Sequence, residues 1–240
     1  MSVAWLILPT YNEAENVGPI VRAARAQMRP DDRILVVDDN SPDGTGAVAD
    51  ELARELQGVA VLHRPGKQGL GRAYLAGFAY ALEREADLVL EMDSDFSHDP
   101  ADLPRLIAAA EHGGDLVLGS RYVDGGSVTD WGLLRKLVSR GGSWYARVIL
   151  GVKVRDLTGG FKCFRRSVLE ALELDAVHAD GYGFQIELTY RTIKAGFRVI
   201  EIPIVFRERR VGESKMTARI ALEAAWKVPA LRRRGSANLS

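Results

Sequence analysis

Three aspartates stand within seven positions in the segment EMDSDFSHDP, residues 91–100, directly after the apolar run ADLVL. Asp93 and Asp95 are two positions apart, so on an extended segment their side chains project from the same face. Two neighbouring carboxylates repel each other unless a cation lies between them. Mg²⁺ and Mn²⁺ bind one or two carboxylates and complete their coordination with phosphate oxygens and water. The spacing therefore predicts a seat for a divalent metal ion and a diphosphate.

The second half of the chain contributes candidate cations for phosphate groups, at Arg121, Arg135, Arg209 and Lys215. Arg135 and Ser139 are four positions apart on a predicted helix, so they share a face and could hold one phosphate. Arg209 and Lys215 flank VGES, a polar loop with a glycine that could close over a diphosphate. Each of these cations taken alone is also typical of a solvated surface.

For three other polar or reactive residues near these motifs, the sequence predicts structural roles. Asp99 precedes Pro100, a pairing typical of a helix start, so we expect it to cap the next helix. Cys163 is the single cysteine of the chain and lies in a predicted strand, where we expect it to be structural. His98 is the histidine nearest the acidic cluster, and we do not expect it to be a metal ligand.

Alternating strands and helices must position these side chains. Apolar runs begin at residues 3, 33, 58, 87 and 115, and further strands are predicted near 159–166 and 197–206. The predicted helices cover about 13–28, a segment opened by Ser41-Pro42, a segment ending near 85, and about 101–112, 132–150 and 182–195. Runs that are apolar throughout are typical of parallel strands covered by helices on both faces. The pattern predicts one α/β domain with an open, mostly parallel sheet.

Ligands of such a sheet bind beyond the carboxyl ends of the strands. Four of those ends carry polar loops, PTYNE (9–13), DDNSPDGT (38–45), DSD (93–95) and GSRY (119–122). Any one of these loops could be explained by turn-forming residues alone. Four of them at one edge of a sheet predict a shared site.

Composition narrows the class of protein. Lys and Arg together number 32, as do Asp and Glu, so net charge gives no indication of a nucleic-acid partner. No uncharged stretch reaches the ~18 apolar residues that span a bilayer, and the N-terminus lacks the basic region of a signal peptide. A single cysteine cannot form an internal disulfide and fits a reducing compartment. We expect a cytoplasmic protein that binds no nucleic acid.

Taken together, these motifs resemble the family 2 glycosyltransferases of GT-A fold, and more narrowly the dolichyl-phosphate (polyprenyl-phosphate) mannose synthases. The resemblance extends from about residue 3 to 216 and rests on LPTYNEAENV, VVDDNSPDGT, GLGRAYLAGF, MDSDFSHDP, GSRY, DLTGGFKCFRR, GYGFQIE and RRVGESKM. It implies a GT-A catalytic domain over 1–216, a Rossmann-like sheet flanked by helices. Residues 217–240 would form a C-terminal amphipathic helical appendage without a transmembrane segment.

The resemblance also implies an activity and its residues. The enzyme would transfer mannose, with inversion, from GDP-mannose to a polyprenyl or dolichyl monophosphate, with Mg²⁺ or Mn²⁺ as cofactor. The nucleotide would be bound by Pro9, Tyr11, Glu13, Val37 and Asp39. The diphosphate and the metal would be held by Asp93, Ser94 and Asp95, with Ser97 beside the ion, directly or through a water. The donor phosphates would also contact Arg121, Arg209 and Lys215, and the acceptor phosphate Arg135 and Ser139. The catalytic set would be Asp95, Arg121, Arg135 and Ser139.

No general base is predicted, because a phosphate monoester is already anionic at pH 7. Catalysis would then depend on positioning the acceptor and on stabilising the departing GDP. Within the enzyme class, transfer of glucose from UDP-glucose to the same lipid phosphate stays open. Outside it, a non-catalytic nucleotide-sugar-binding subunit is the alternative. A nucleotide-binding dehydrogenase is disfavoured, because GLGRAY (69–74) has Tyr74 where its fingerprint needs a small residue and follows the third strand.

A lipid acceptor requires the enzyme to work at a membrane. We expect peripheral association with the cytoplasmic face, through a basic amphipathic surface or a membrane-protein partner. The segment 217–234, which ends in RRR, is the predicted docking helix, although a helix packed on the domain would show the same pattern.

Overall fold

The computed structural model describes residues 2–129, 131–177, 181–208 and 228–233. Within them the strands are β1 (Ala4–Thr10), β2 (Arg33–Asp38), β3 (Val59–His63), β4 (Leu88–Glu91), β5 (Leu116–Ser120), β6 (Ser127–Val128), β7 (Lys162–Arg165), β8 (Val199–Pro203) and β9 (Val205–Phe206). The helices are α1 (Ala14–Gln27), α2 (Thr45–Glu55), α3 (Leu70–Glu83), α4 (Leu103–Glu111), α5 (Leu133–Leu150), α6 (Arg166–Ala171) and α7 (Tyr182–Lys194). Short 3₁₀ helices cover Pro100–Asp102 and Leu174–Ala176.

Seven strands form the main sheet in the order β3-β2-β1-β4-β7-β5-β8. Its neighbouring strands are parallel except at β7, which runs antiparallel between β4 and β5. A second, two-stranded sheet pairs β6 with β9. The predicted α/β class with a mostly parallel sheet is confirmed.

Two apolar layers cover the faces of the sheet, and β1 contributes to both. Trp5 and Ile7 pack with α3, whereas Leu6 and Leu8 pack with α1 and α4 on the opposite face. Each fully buried Leu or Ile side chain contributes about 1.5–3 kcal/mol relative to an exposed one. The continuous apolar run of β1 follows directly from this burial on both sides.

Helix α3 lies directly on the strands that lead to the polar edge. Its Gly77 faces β1 so closely that a Cβ there would collide with the side chain of Ile7. The close approach places the beginning of α3 above the carboxyl ends of β1 and β2.

The start of α2 differs from the prediction. The helix begins at Thr45, whose backbone N–H is accepted by Asp43 Oδ1 at 3.0 Å. Ser41 and Pro42 lie in the preceding turn, where Ser41 Oγ donates to Asp38 Oδ1 at 2.6 Å. The expected cap at Asp99 is confirmed, since its Oδ1 accepts from the Ala101 N–H at 3.0 Å at the start of the first 3₁₀ helix.

The C-terminal segment is described only over 228–233, which is helical. Val228 is buried in the same apolar layer as α5 and α7, and Leu231 packs against that layer. Arg232 Nη1 donates to the backbone oxygen of Ile149 at 2.7 Å. The predicted boundary at residue 216 and most of the predicted docking helix lie outside the described residues and stay predictions.

No helix in the described ranges is both long enough and apolar enough to cross a bilayer.

Candidate functional site

A cavity of about 380 Å³ opens at the carboxyl ends of β1 and β4. Most of the predicted site residues line it, namely Pro9, Tyr11, Glu13, Asp39, Asp93, Ser94, Asp95, Ser97, Arg121 and Arg135. The structure thus brings together residues from all four polar loops. Val37 and Ser139 are not among the lining residues, and Arg209 and Lys215 lie outside the described part of the chain.

Val37 does not line the cavity, and its contact with guanine or ribose stays a prediction. Its side chain is buried in the apolar layer beneath α3. The pleat explains this, because successive side chains on β2 point to opposite faces and both faces are covered. Asp38 and Asp39, at the end of the same strand, are the residues that reach the edge.

The acidic loop is held in shape by its own side chains. Asp95 is 5% exposed and its Oδ1 accepts from the Ser97 N–H at 2.9 Å. Ser94 Oγ donates to the Pro9 backbone oxygen at 3.2 Å, which fixes the loop to the end of β1. Tyr74 Oη donates to Asp93 Oδ1 at 3.4 Å. These contacts orient both carboxylates towards the cavity.

The donor set fits a divalent cation that shares its ligands with a substrate. Asp93, Asp95 and Ser97 offer two carboxylates and a hydroxyl to one cavity. In the residues that the structure describes, no three His, Cys, Asp or Glu side chains converge into an all-protein cage. Mg²⁺ is characteristically bound through one or two carboxylates together with phosphates and water. Asp93 and Asp95 would therefore hold the ion, with the remaining positions filled by phosphate and water.

His98 has a packing role beside this loop. Its ring lies 4.9 Å from that of Phe161 and 5.2 Å from that of Phe206. Burial lowers the pKa of His98 to about 4, so the ring is neutral at pH 7. Its Nδ1 accepts from the Asp93 N–H at 3.4 Å, which leaves the histidine supporting the loop through the backbone.

Arg121 lies at the cavity in a buried ion pair that the sequence did not indicate. Its Nε and Nη2 donate to the two carboxylate oxygens of Asp156, each at 2.7 Å, and Nη2 also donates to Thr158 Oγ1 at 2.8 Å. Burial alone would raise the pKa of Asp156, but the charge and hydrogen bonds of Arg121 bring that pKa below its usual value. Asp156 therefore neutralises much of the charge that Arg121 was predicted to offer to phosphate. The DLTGGF motif contains this acid and is the signal that could have pointed to it.

Arg135 and Ser139 lie on α5. Arg135 Nη1 lies 2.7 Å from Glu208 Oε1, and its guanidinium stacks over the Trp131 ring at 4.1 Å. Ser139 Oγ accepts from Tyr122 Oη at 2.7 Å. The two side chains share a side of α5 as predicted, although Arg135 alone lines the cavity. Their assignment to an acceptor phosphate stays a prediction.

Two further cations, which the sequence did not indicate, lie beside the predicted nucleotide residues Tyr11 and Asp39. Lys67 lines the cavity and its Nζ lies 4.2 Å above the ring of Tyr11. Arg64 forms an ion pair with Asp39, and this partly offsets the rise in the pKa of Asp39 caused by burial. The glycine-rich stretch GKQGLG (66–71) before α3 is the signal that could have indicated a phosphate-facing loop here.

The chain matches one protein family over most of its length and is similar to two named mannosyl-transferring enzymes. The model of the family described as Glycosyl transferase family 2 matches residues 5–173. Polyprenol monophosphomannose synthase of Mycolicibacterium smegmatis is 50% identical over 93% of this chain and 84% of its own length. Undecaprenyl-phosphate mannosyltransferase of Micrococcus luteus is 49% identical over 91% of this chain and 89% of its own length.

Solved structures agree on the fold. Glucosyl-3-phosphoglycerate synthase from Mycobacterium tuberculosis, in complex with phosphoglyceric acid, superposes with a TM-score of 0.73 at 21% identity, covering 97% of this chain and 80% of that one. A complex of the same enzyme with Mn²⁺, UDP-glucose and phosphoglyceric acid gives a TM-score of 0.73 at 20% identity, with the same coverage. At this identity the likeness concerns architecture alone, and it confirms the predicted GT-A fold.

Proposed function

Because the chain belongs to glycosyl transferase family 2, we propose that it transfers mannose from GDP-mannose to a polyprenyl monophosphate, with inversion. The observation that carries the proposal is that Asp93, Asp95 and Arg135 line one cavity. The relatives named for polyprenol-phosphate and undecaprenyl-phosphate mannosylation, at 50% and 49% identity, support both the sugar and the lipid acceptor.

The proposed reaction needs positioning more than proton transfer. An oxygen of the acceptor phosphate donates an electron pair to the anomeric carbon while the bond from that carbon to the donor diphosphate breaks. The departing pair stays on the β-phosphate of GDP, and the configuration at the anomeric carbon inverts. Since the attacking oxygen is already anionic at pH 7, the chain must mainly align the two substrates. We assign alignment of the acceptor phosphate to Arg135 and Ser139.

A divalent cation, when bound, would neutralise negative charge on the departing diphosphate. Asp93 and Asp95 would hold it, with Ser97 beside it. The Mn²⁺ and UDP-glucose complex of the mycobacterial structural neighbour supports such a cofactor in this fold. On the protein side, Ser94 fixes the acidic loop to β1, and Tyr74 orients Asp93.

The nucleotide test compares donors directly. With Mg²⁺ present, GDP should raise the melting temperature more than UDP at equal concentration, because a ligand that binds only the folded state stabilises it by about 2.7 kcal/mol at 100 times its Kd. Radiolabel from GDP-mannose should then enter a polyprenyl phosphate extract, whereas label from UDP-glucose should not. A larger shift with UDP, or transfer of glucose, would contradict the mannose assignment. Binding of GDP-mannose without any transfer would instead favour the non-catalytic alternative.

Helix α5 supports a peripheral position at the membrane surface. Leu137, Trp144 and Val148 are 69%, 64% and 53% exposed, and their spacing places them on one face of the helix. The exposed Arg140 and Arg147 lie along one border of this face, whereas Ser139 lies on the other side of α5. An exposed apolar stripe with a Trp, bordered by arginines, is typical of a helix lying in a lipid interface. We propose that α5, beside the predicted acceptor residues, meets the lipid surface, with or without a membrane-protein partner.

Replacing Trp144 by serine should weaken binding to vesicles containing anionic lipid by roughly tenfold, since burial of a large apolar side chain is lost. Cosedimentation measures the binding. The rate of transfer to a long-chain acceptor in vesicles should fall in parallel. The rate of transfer to a short-chain, water-dispersed acceptor should stay close to that of the unmodified protein. The matched control is Val205→Ser on β9, an exposed apolar residue outside this stripe. Equal loss on both acceptors would show that Trp144 supports the fold rather than the lipid contact.

A further inference from the structure

A buried charged cluster lies on the neighbouring strands β4 and β7. Glu91 on β4 and Lys162 on β7 are register partners, and both are 0% exposed. Lys162 Nζ donates to the backbone oxygen of Gln185 at 2.9 Å and to the Oε1 of the same residue. Burial raises the pKa of Glu91 to about 7, an effect reduced by the charge of Lys162 and by the Gln185 side chain. The cluster therefore ties Gln185, at the beginning of α7, to the centre of the sheet.

Lys162 determines which way the Gln185 amide points. An ammonium group only donates hydrogen bonds, so the atom that faces it must be the amide oxygen. The amide nitrogen, Nε2, is therefore the end of the side chain that points away from Lys162, and it carries two N–H groups. Gln185 is 3% exposed, and within the described ranges neither Nε2 nor the two carboxylate oxygens of Glu91 has a partner at hydrogen-bond geometry. Because the Gln185 side chain lowers the pKa of Glu91, one N–H lies towards that carboxylate and the other is left for the cavity. A buried donor without a partner costs about 1–3 kcal/mol, which a bound ligand could recover.

The amide nitrogen borders the cavity at Gly160. A Cβ placed on Gly160 would lie 3.5 Å from Gln185 Nε2 and 3.9 Å from Asp93 Oδ1. Gln185, Gly160 and Asp93 all line the cavity. A donor and a carboxylate acceptor thus flank a small space that the missing side chain of Gly160 leaves open.

The chemistry of that space matches a neutral hydroxyl. A hydroxyl both donates and accepts, so it can satisfy Nε2 and a carboxylate oxygen together. A phosphate oxygen would need the bound cation between it and the Asp93 carboxylate, whereas a hydroxyl can contact that carboxylate directly. Among the parts of a nucleotide sugar, the hexose carries several such hydroxyls and no charge.

We propose that Gln185 is a specificity-determining residue whose amide nitrogen donates a hydrogen bond to a hydroxyl of the transferred sugar, in a space that Gly160 keeps open. The inference rests on the proposed function, because it takes the cavity to be a nucleotide-sugar site. Lys162 acts through Gln185 as a positioning residue. Recognition of the sugar is thereby separate from recognition of the nucleotide, which lies towards Tyr11 and Asp39.

Two substitutions test the proposal from opposite directions. Gln185→Ala removes the donor. Gly160→Ala adds a methyl group whose nearest contacts, at 3.5–3.9 Å, are ordinary van der Waals distances, so the fold accepts it while the sugar space is filled. The measurement is the dissociation constant of each nucleotide sugar divided by that of its diphosphate, for the pairs GDP-mannose with GDP and UDP-glucose with UDP, with Mg²⁺ present.

For both variants we expect this ratio to rise about tenfold for the true donor, which corresponds to ~1.4 kcal/mol, while diphosphate affinity stays the same. The control is Gly142→Ala on α5, where an added Cβ meets nothing within 4 Å and the ratio should not change. An unchanged ratio, as expected if only water meets Nε2, would overturn the proposal, and so would an equal loss of diphosphate and sugar nucleotide. If Gln185→Ala fails to fold, Gly160→Ala decides alone. Preference of the unmodified protein for UDP-glucose would refute the donor assignment, yet the UDP pair would still test Gln185.

Discussion

Replacing Asp95 by asparagine should lower the rate of sugar transfer by about 10²- to 10³-fold, comparable to removing one preorganised electrostatic group from an active site. The side chain faces the cavity and is 5% exposed, so its charge acts where solvent screens it little. Asparagine keeps an oxygen that can accept from the Ser97 N–H, the contact that shapes the loop. The fold should therefore survive, and the melting temperature without ligand should change little. Initial rates measured over a range of Mg²⁺ concentrations provide the measurement.

Asp99→Asn is the matched control for charge. Asp99 belongs to the same acidic segment but caps a 3₁₀ helix instead of lining the main cavity. Asparagine is an equally good N-cap, so this variant should transfer sugar at close to the unchanged rate. Near-normal turnover of Asp95→Asn at limiting Mg²⁺ would mean that the Asp93 and Asp95 pair is only a turn.

Asp156→Asn should destabilise the protein by about 3–5 kcal/mol, because it leaves the buried Arg121 without its counter-charge. Both groups are buried, with 5% and 1% exposure, and Asp156 accepts from the Arg121 backbone and guanidinium. Urea unfolding followed by circular dichroism measures the change. The pKa of Asp156 is lowered by folding, so its stabilising effect is present above the unfolded-state pKa and is lost as pH falls through the folded-state value. The difference in the free energy of unfolding between Asp156→Asn and the unmodified protein should therefore become smaller as the pH falls.

Two further variants test whether the loss of stability comes from the buried ion pair. Asp124→Asn removes a fully exposed carboxylate that pairs with Arg155, and its unfolding curve should match that of the unmodified protein. The double replacement Arg121→Met with Asp156→Leu removes both charges and should recover part of the lost stability. A loss below about 1 kcal/mol in Asp156→Asn would indicate that water already screens the pair.

The parts of the fold that follow from local periodicity could be predicted from the sequence. Strands β1, β2 and β5 are apolar along most of their length, as expected for strands that are covered on both faces. Helices α5 and α7 begin and end close to their predicted bounds. The position of the site was also predictable, because parallel strands place their carboxyl ends on one edge. Asp93, Asp95 and Arg121 meet there for that reason.

What could not be predicted depends on contacts between distant segments. The pattern of residues 162–165 indicates a strand but not its direction, which is set by β4 and β5 on either side. Lys162 would be expected on a solvated face, yet it is buried against Glu91, a partner 71 positions earlier that no local pattern reveals. The pairing of Arg121 with Asp156 spans 35 positions in the same way. The turn at 41–44 has the composition of a helix start, and only the Asp43 contact shows that α2 begins at Thr45.

The reversed strand β7 also determines when the sheet can be completed during synthesis. Strands β1 to β4 pair among themselves, but β5 pairs only with β7 and β8, both of which come later in the chain. At ribosomal rates of about 5–20 residues per second, residues 116–120 wait roughly 2–9 seconds before residue 165 has been added. Throughout that interval β4 presents an open edge carrying Glu91, and the apolar β5 has no strand beside it, a condition that favours pairing with other chains. A chain that ends before residue 162 would thus contain the complete acidic loop, but it would lack the strand that joins β4 to β5.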